Sequence, residues 1–162
     1  MNEEQRLKID RMRFINNTFS SNLALLAILF NVFYFVSIYK SDVGSYYYNI
    51  LIGASIVFNL IFMLTVFLAS EGVKSYNIFY SYVLIVVGVI QIIRIFIIPM
   101  HAHAATVSIM DQAVQVMKDG QFFRVVCYLL ISSACCFAAG IVGIQKSRTL
   151  SAYMASLDGK AV

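Results

Sequence analysis

The chain is poor in acidic side chains. It carries eight Asp and Glu in 162 residues, and none of them falls inside its long apolar runs. A proton- or sodium-coupled transporter needs an ionisable Asp, Glu or His within the membrane, so that class is not expected. There is one proline, which leaves little scope for the broken helices of alternating-access carriers. The three cysteines, Cys127, Cys135 and Cys136, form no C-x-x-C pair and all lie in the last apolar run. They read as small packing residues rather than redox groups. No H-E-x-x-H, G-x-S-x-G or intramembrane carboxylate pair is present, so neither an enzyme nor a bound cofactor is expected. The arginine-rich interface motifs of membrane glutathione-dependent transferases are missing too. So are the C-x-x-C pairs of quinone-linked thiol oxidoreductases.

Charge is scarce in general. Charged residues make up 12% of the chain and hydrophobic ones 60%, with a mean hydropathy of +0.81. Soluble domains carry roughly 25% charged residues, so lipid is the expected solvent. Four apolar runs occupy residues 23–39, 49–69, 78–100 and 125–144. A membrane helix needs about 20 apolar residues, and with modest extension each run qualifies. The expected fold is all-α: four transmembrane helices over 20–40, 47–70, 78–100 and 123–145, packed as an up-down bundle in one domain with short amphipathic helices at the membrane surface. The first run is read as a retained anchor, because "FVSIYK" is followed by no small-x-small cleavage site.

Basic residues set the orientation. Arg6, Lys8, Arg11, Arg13, Lys74, Lys146, Arg148 and Lys160 fall on one side, and Lys40, Lys118 and Arg124 on the other. Eight against three puts both termini in the cytoplasm, with the plasma membrane the expected location. Tyr46–Tyr48 on the opposite side suit the headgroup level. The "NNT" sequon at 16–18 then lies on the cytoplasmic side and is discounted. The net charge of +4 follows from orientation and anionic lipid. Nothing in it suggests a nucleic-acid partner.

In the outer loop, Val107, Met110, Val114 and Met117 recur at three- and four-residue steps before Gly120. This spacing predicts an amphipathic surface helix over 104–119, ended by Gly120. It would serve either as a lid over the bundle or as a docking surface. Residues 146–162 form the expected cytoplasmic tail, with Leu150, Tyr153, Met154 and Leu157 sharing a face.

The most informative residue is Arg94, within "VIQIIRIFIIPMHAHA". A central arginine costs about 2.5–3.5 kcal/mol on insertion scales. Outward snorkelling works against the backward tilt of helical side chains. Asn77, Tyr80, Ser81, Gly88, Gln91 and Arg94 share one helical arc, so this face should turn toward protein. Several partners are open to Arg94: Asp42, Asp111 or Asp119 dipping inward, the Ile95 carbonyl freed by Pro99, a lipid phosphate, an anionic ligand, or a carboxylate of another protein. Asn31, Asn59 and Thr65 add polar groups to the first two spans. Arg94, Gln91, Asn59 and Asn31 are therefore the candidate intramembrane polar or partner-contact residues.

Ser132, Cys136 and Gly140 form a small-xxx-small row for helix packing, internal or between subunits. His101 and His103 lack the three or four ligands a metal site needs. The resulting expectation is a non-enzymatic accessory or structural subunit of a larger membrane complex such as a transporter. Its partners would be the bilayer and a membrane protein or a second copy. The alternative is a homo-oligomeric channel or carrier for anionic or small solutes.

Overall fold

In a computed structural model, residues 15–38, 46–104, 106–109, 112–115 and 117–158 are described. The expectations for the charged N-terminal tail, Asp42, Asp111 and the side chains of Tyr46–Tyr48 lie outside the described residues. The architecture is helical, with four helices long and apolar enough to cross a membrane. These are α1 (Thr18–Ile38), α2 (Tyr46–Lys74), α3 (Ile78–Ile97) and α5 (Asp119–Asp158). A short α4 (Pro99–Ala104) follows α3. Between α4 and α5 stand strands β1 (Thr106–Ile109) and β2 (Gln112–Gln115).

Local chemistry sets the boundaries. The Asn17 side chain accepts from Ser20 N at 3.4 Å at the start of α1, and Asn77 accepts from Phe79 N at 3.1 Å at the start of α3. Both are N-caps satisfying an orphan donor. Helix α2 ends in a Schellman arrangement: Asn77 N donates to Gly72 O and Tyr76 N to Val73 O. Tyr76 takes the left-handed position usually given to glycine, with φ 58°. The ring-locked Pro99, which has no N–H, opens α4 after a one-residue break at Ile98.

Two expectations are corrected here. The segment predicted as an outer amphipathic helix over 104–119 is helical only to Ala104. Beyond that it forms an antiparallel hairpin pairing Val107 with Val114 and Ile109 with Gln112. Thr106, Val107, Ile109 and Val114 are β-branched, which favours a pleated strand. Gly120 accordingly lies in the first turn of α5 and ends no helix. Likewise, the tail expected over 146–162 continues α5 without a break to Asp158. That helix is 40 residues long, or ~60 Å at 1.5 Å per residue.

The core has two apolar clusters. One gathers Ala24, Ala27, Phe62, Val66, Ala69, Val73, Leu84, Val87, Cys136 and Ala139. The other gathers Tyr34, Ile38, Ala102, Met117, Val125 and Leu129. Met117, just after the hairpin, is fully buried in the second cluster, so the segment between α4 and α5 closes that end. Gln121 Nε2 adds a 2.9 Å bond to Ser37 O. At the opposite end Asn17 N donates to Lys74 O, Lys146 Nζ to Asn17 Oδ1 at 3.0 Å, and Ser147 Oγ to Tyr76 O at 2.8 Å.

The small-residue row packs inside the chain. Ser132 Oγ donates to Ala27 O at 2.9 Å, Cys136 is buried, and Gly140 meets α3. A Cβ on Gly140 would stand 2.8 Å from Ser81 O and 2.6 Å from Ile85 Cγ1. Helices α3 and α5 touch here because no side chain intervenes. Apolar side chains cover the bundle's exterior: Leu25, Leu29, Leu60, Ile61, Leu64, Ile93, Ile97 and Ile141 are all exposed. Water would penalise such a surface, whereas lipid would not.

Candidate functional site

Between the two apolar clusters lies a polar layer built around Arg94. The α3 face that carries it buries Ser81, Leu84, Val87, Gly88, Gln91 and Arg94, following the arc of small and polar residues along the helix. Arg94 is only 3% exposed. Its side chain leans back toward the N-terminus of α3 and reaches all three other long helices through a shared network. Nη1 donates to Asn31 Oδ1 of α1 at 3.2 Å and to Gln91 Oε1 at 3.4 Å. Nη2 donates to Ser55 Oγ and Asn59 Oδ1 of α2, at 3.2 and 2.8 Å. Gln91 Nε2 donates to Asn31 Oδ1 and to Ser132 Oγ of α5, both at 3.2 Å. The Tyr34 and Phe58 rings lie 4.3 and 4.8 Å from the guanidinium carbon, where desolvated cation–π attraction is worth about 2 kcal/mol.

Arg94, Gln91, Asn59 and Asn31 are thus brought into one cluster. Arg94 is hydrogen-bonded within this cluster by its own chain. The Ile95 carbonyl is not its partner. Asp119 pairs instead with His103 at 3.7 Å and is otherwise open to solvent. Thr65 is half-buried and outside the network. Tyr34, Ser55 and Phe58 belong to the site and were missed in the sequence. A signal did exist: Tyr34 stands one helical turn from Asn31, and Ser55 one turn from Asn59.

Every described hydrogen-bond partner of the guanidinium is neutral. Hydrogen bonds to charged groups contribute about 1.5–3 kcal/mol each, so the network offsets the several kcal/mol of burying an ion. Among the described residues no carboxylate lies against the guanidinium. The unpaired groups share a sign as well: Arg94 Nε, Asn31 Nδ2 and Asn59 Nδ2 are buried without hydrogen-bond partners. Their orientation is forced, because both amide oxygens must face the cation and the amide NH2 groups then point elsewhere. All three are donors. Among the described residues these three donors have no acceptor.

A cavity of about 220 Å³ adjoins this layer on the outside of the bundle. Ala54 and Phe58 of α2 wall it on one side, and Ile90, Ile93, Arg94, Ile97 and Ile98 on the other. Ile93 and Ile97 at its mouth are 51% and 55% exposed.

His101, His103 and the three cysteines take no part in this layer's hydrogen bonds. His101 Nδ1 lies 3.1 Å from Phe96 O and His103 Nδ1 3.3 Å from Met117 O, with the His103 ring stacked on Phe122 at 4.5 Å. Among the described residues no group of three or more His, Cys, Asp or Glu could hold a metal ion. Cys127, Cys135 and Cys136 are free thiols. The four candidate spans mark the chain as a multi-pass membrane protein, and its comparison with known proteins adds no relative: no family model, curated protein or solved structure matches it.

Proposed function

We propose that this chain is a non-enzymatic multi-pass membrane protein that binds an anionic group at Arg94, as a small carrier or receptor of anions. It would sit in the plasma membrane as an up-down bundle with both termini in the cytoplasm, in keeping with its eight-to-three bias of basic residues. The observation that carries the reading is a buried Arg94 with no carboxylate against it among the described residues, whose Nε has no hydrogen-bond partner and whose neighbours Asn31 and Asn59 each leave an amide nitrogen unpaired. Polar layers that serve packing alone tend to satisfy their own members, since each buried unsatisfied group costs about 1–3 kcal/mol. Here three donors are left over among the described residues.

Native mass spectrometry of protein released from its own membranes tests the reading, and the ligand's identity need not be assumed. Wild type is expected to carry a bound anionic species that Arg94→Gln lacks. Identical spectra, with both proteins folded by circular dichroism, would overturn it.

A second reading, the accessory subunit of a larger complex, draws support from α5. Its ~60 Å length is about twice the hydrocarbon core, and its end carries the exposed Met154. The projecting turns offer a helical handle at the membrane surface. Truncation after Ser147 is then expected to lose a partner that wild type retains in a pull-down from native membranes. Recovery of both forms without a specific partner would exclude it.

A further inference from the structure

The cavity beside Arg94 has an address as well as a charge. It lies between α2 and α3, its walls are isoleucine, alanine and phenylalanine, and its mouth is on the apolar exterior of the bundle. A small hydrated anion has no reason to arrive that way. At about 220 Å³ the cavity falls below the roughly 300–1,000 Å³ of a drug-sized pocket. It suits a length of alkyl chain. The residue on its wall that differs from the others is Arg94. Its Nε is the guanidinium nitrogen without a partner among the described residues. Both Nη atoms are already engaged on the far side. Phe58 lines the cavity and its ring also lies 4.8 Å from the guanidinium carbon, while Nε itself is buried.

We infer that this groove admits a long-chain carboxylate from the lipid phase, its alkyl chain against Ile90, Ile93 and Ile97 and its carboxylate at Arg94 Nε. The inference rests on the anion-binding reading above and names its substrate class. Phe58 must turn aside for the carboxylate to reach the guanidinium. A carboxylate brings two oxygens with about four acceptor sites, which suits the free Nε–H. Its single negative charge cancels the one buried positive charge. A neutral alcohol of equal length would fill the groove and leave that charge uncancelled.

The test uses full-length protein in lipid nanodiscs and tritiated hexadecanoate. Saturable binding is expected, competed by unlabelled hexadecanoate but not by hexadecanol. Arg94→Gln should weaken it roughly tenfold or more, the loss of a charge-assisted bond. Ile93→Trp, at the exposed mouth, should weaken it comparably by filling the groove, whereas Ile141→Trp on α5 should bind like wild type. Ile93→Trp keeps the test informative if Arg94→Gln fails to fold. Binding of labelled acetate but not of hexadecanoate would overturn the groove assignment and leave the anion site standing. Binding of neither would overturn both. Hexadecanoate binding that Ile93→Trp does not reduce would place the ligand elsewhere and also overturn the assignment.

Discussion

Asn59→Asp is expected to make the protein more stable and to abolish its anion binding. Asn59 Oδ1 sits 2.8 Å from Arg94 Nη2, the shortest bond of the network, and aspartate is nearly isosteric with it. The substitution would place a carboxylate against a cation that the fold already buries. Removing one partner of a buried ion pair costs about 3–5 kcal/mol, because a charge is left uncompensated. Supplying the missing partner should recover a large part of that, about 3 kcal/mol, and raise the thermal midpoint by several degrees. The internal carboxylate would then hold the guanidinium in place of any ligand. Unfolding in detergent gives the first half of the result and native mass spectrometry the second. A structural arginine whose neighbours already suffice predicts otherwise: little gain in stability, and no change in what the protein carries.

Gly140→Leu is expected to have the largest destabilising effect of any single substitution proposed here. A first carbon alone would come within 2.8 Å of the Ser81 carbonyl, which is backbone and cannot swing away. Overpacking costs typically 1–3 kcal/mol, and a whole leucine between α3 and α5 should meet or exceed about 3 kcal/mol. Prising these helices apart also moves Gln91 away from Ser132, which lie 3.2 Å apart, so ligand binding should fall with stability. Gly53 makes the comparison, since nothing stands within 4 Å of a Cβ built there. Gly53→Leu should therefore behave like wild type on size-exclusion chromatography, while Gly140→Leu should aggregate or fail to express. Equal behaviour of the two would mean that α3 and α5 do not approach as closely as described.

Much of the architecture was legible because lipid imposes a simple rule. Runs of about 20 apolar residues have few alternatives to a long helix, and four runs gave four helices. The inward face of α3 was legible for the same reason, since Ser81, Gly88, Gln91 and Arg94 recur on one arc amid isoleucine and valine. Which residues meet Arg94 was less so. Periodicity assigns a face to a residue, but the depth at which two helices align depends on packing. Asn31 and Asn59 stood out as polar groups in apolar runs. Ser55 looks like any small helix residue, and Tyr34 and Phe58 like ordinary apolar surface until a cation is set beside them.

The hairpin was misread for a different reason. Over so short a segment the spacing of Val107 and Val114 satisfies a helical wheel and also a cross-strand pair, and β-branching decided between them. The end of α5 was misread because Lys146 and Arg148 mark the end of an apolar run, while a helix needs no apolar residues to continue. Both misreadings concern the ends of the bundle. Neither touches the layer that holds Arg94.

The measurement closest to that layer is the nuclear magnetic resonance signal of the Arg94 side chain in delipidated protein labelled with ¹⁵N-arginine, titrated with hexadecanoate. Its Nε–H resonance can be assigned by its absence in Arg94→Gln. If a carboxylate binds where the orphan donor points, that resonance shifts saturably, with the other arginines unmoved, and Asn59→Asp removes the response. If it stays in place while hexadecanoate occupies the protein, no carboxylate reaches Arg94 Nε, and the account of that donor as a binding group is contradicted.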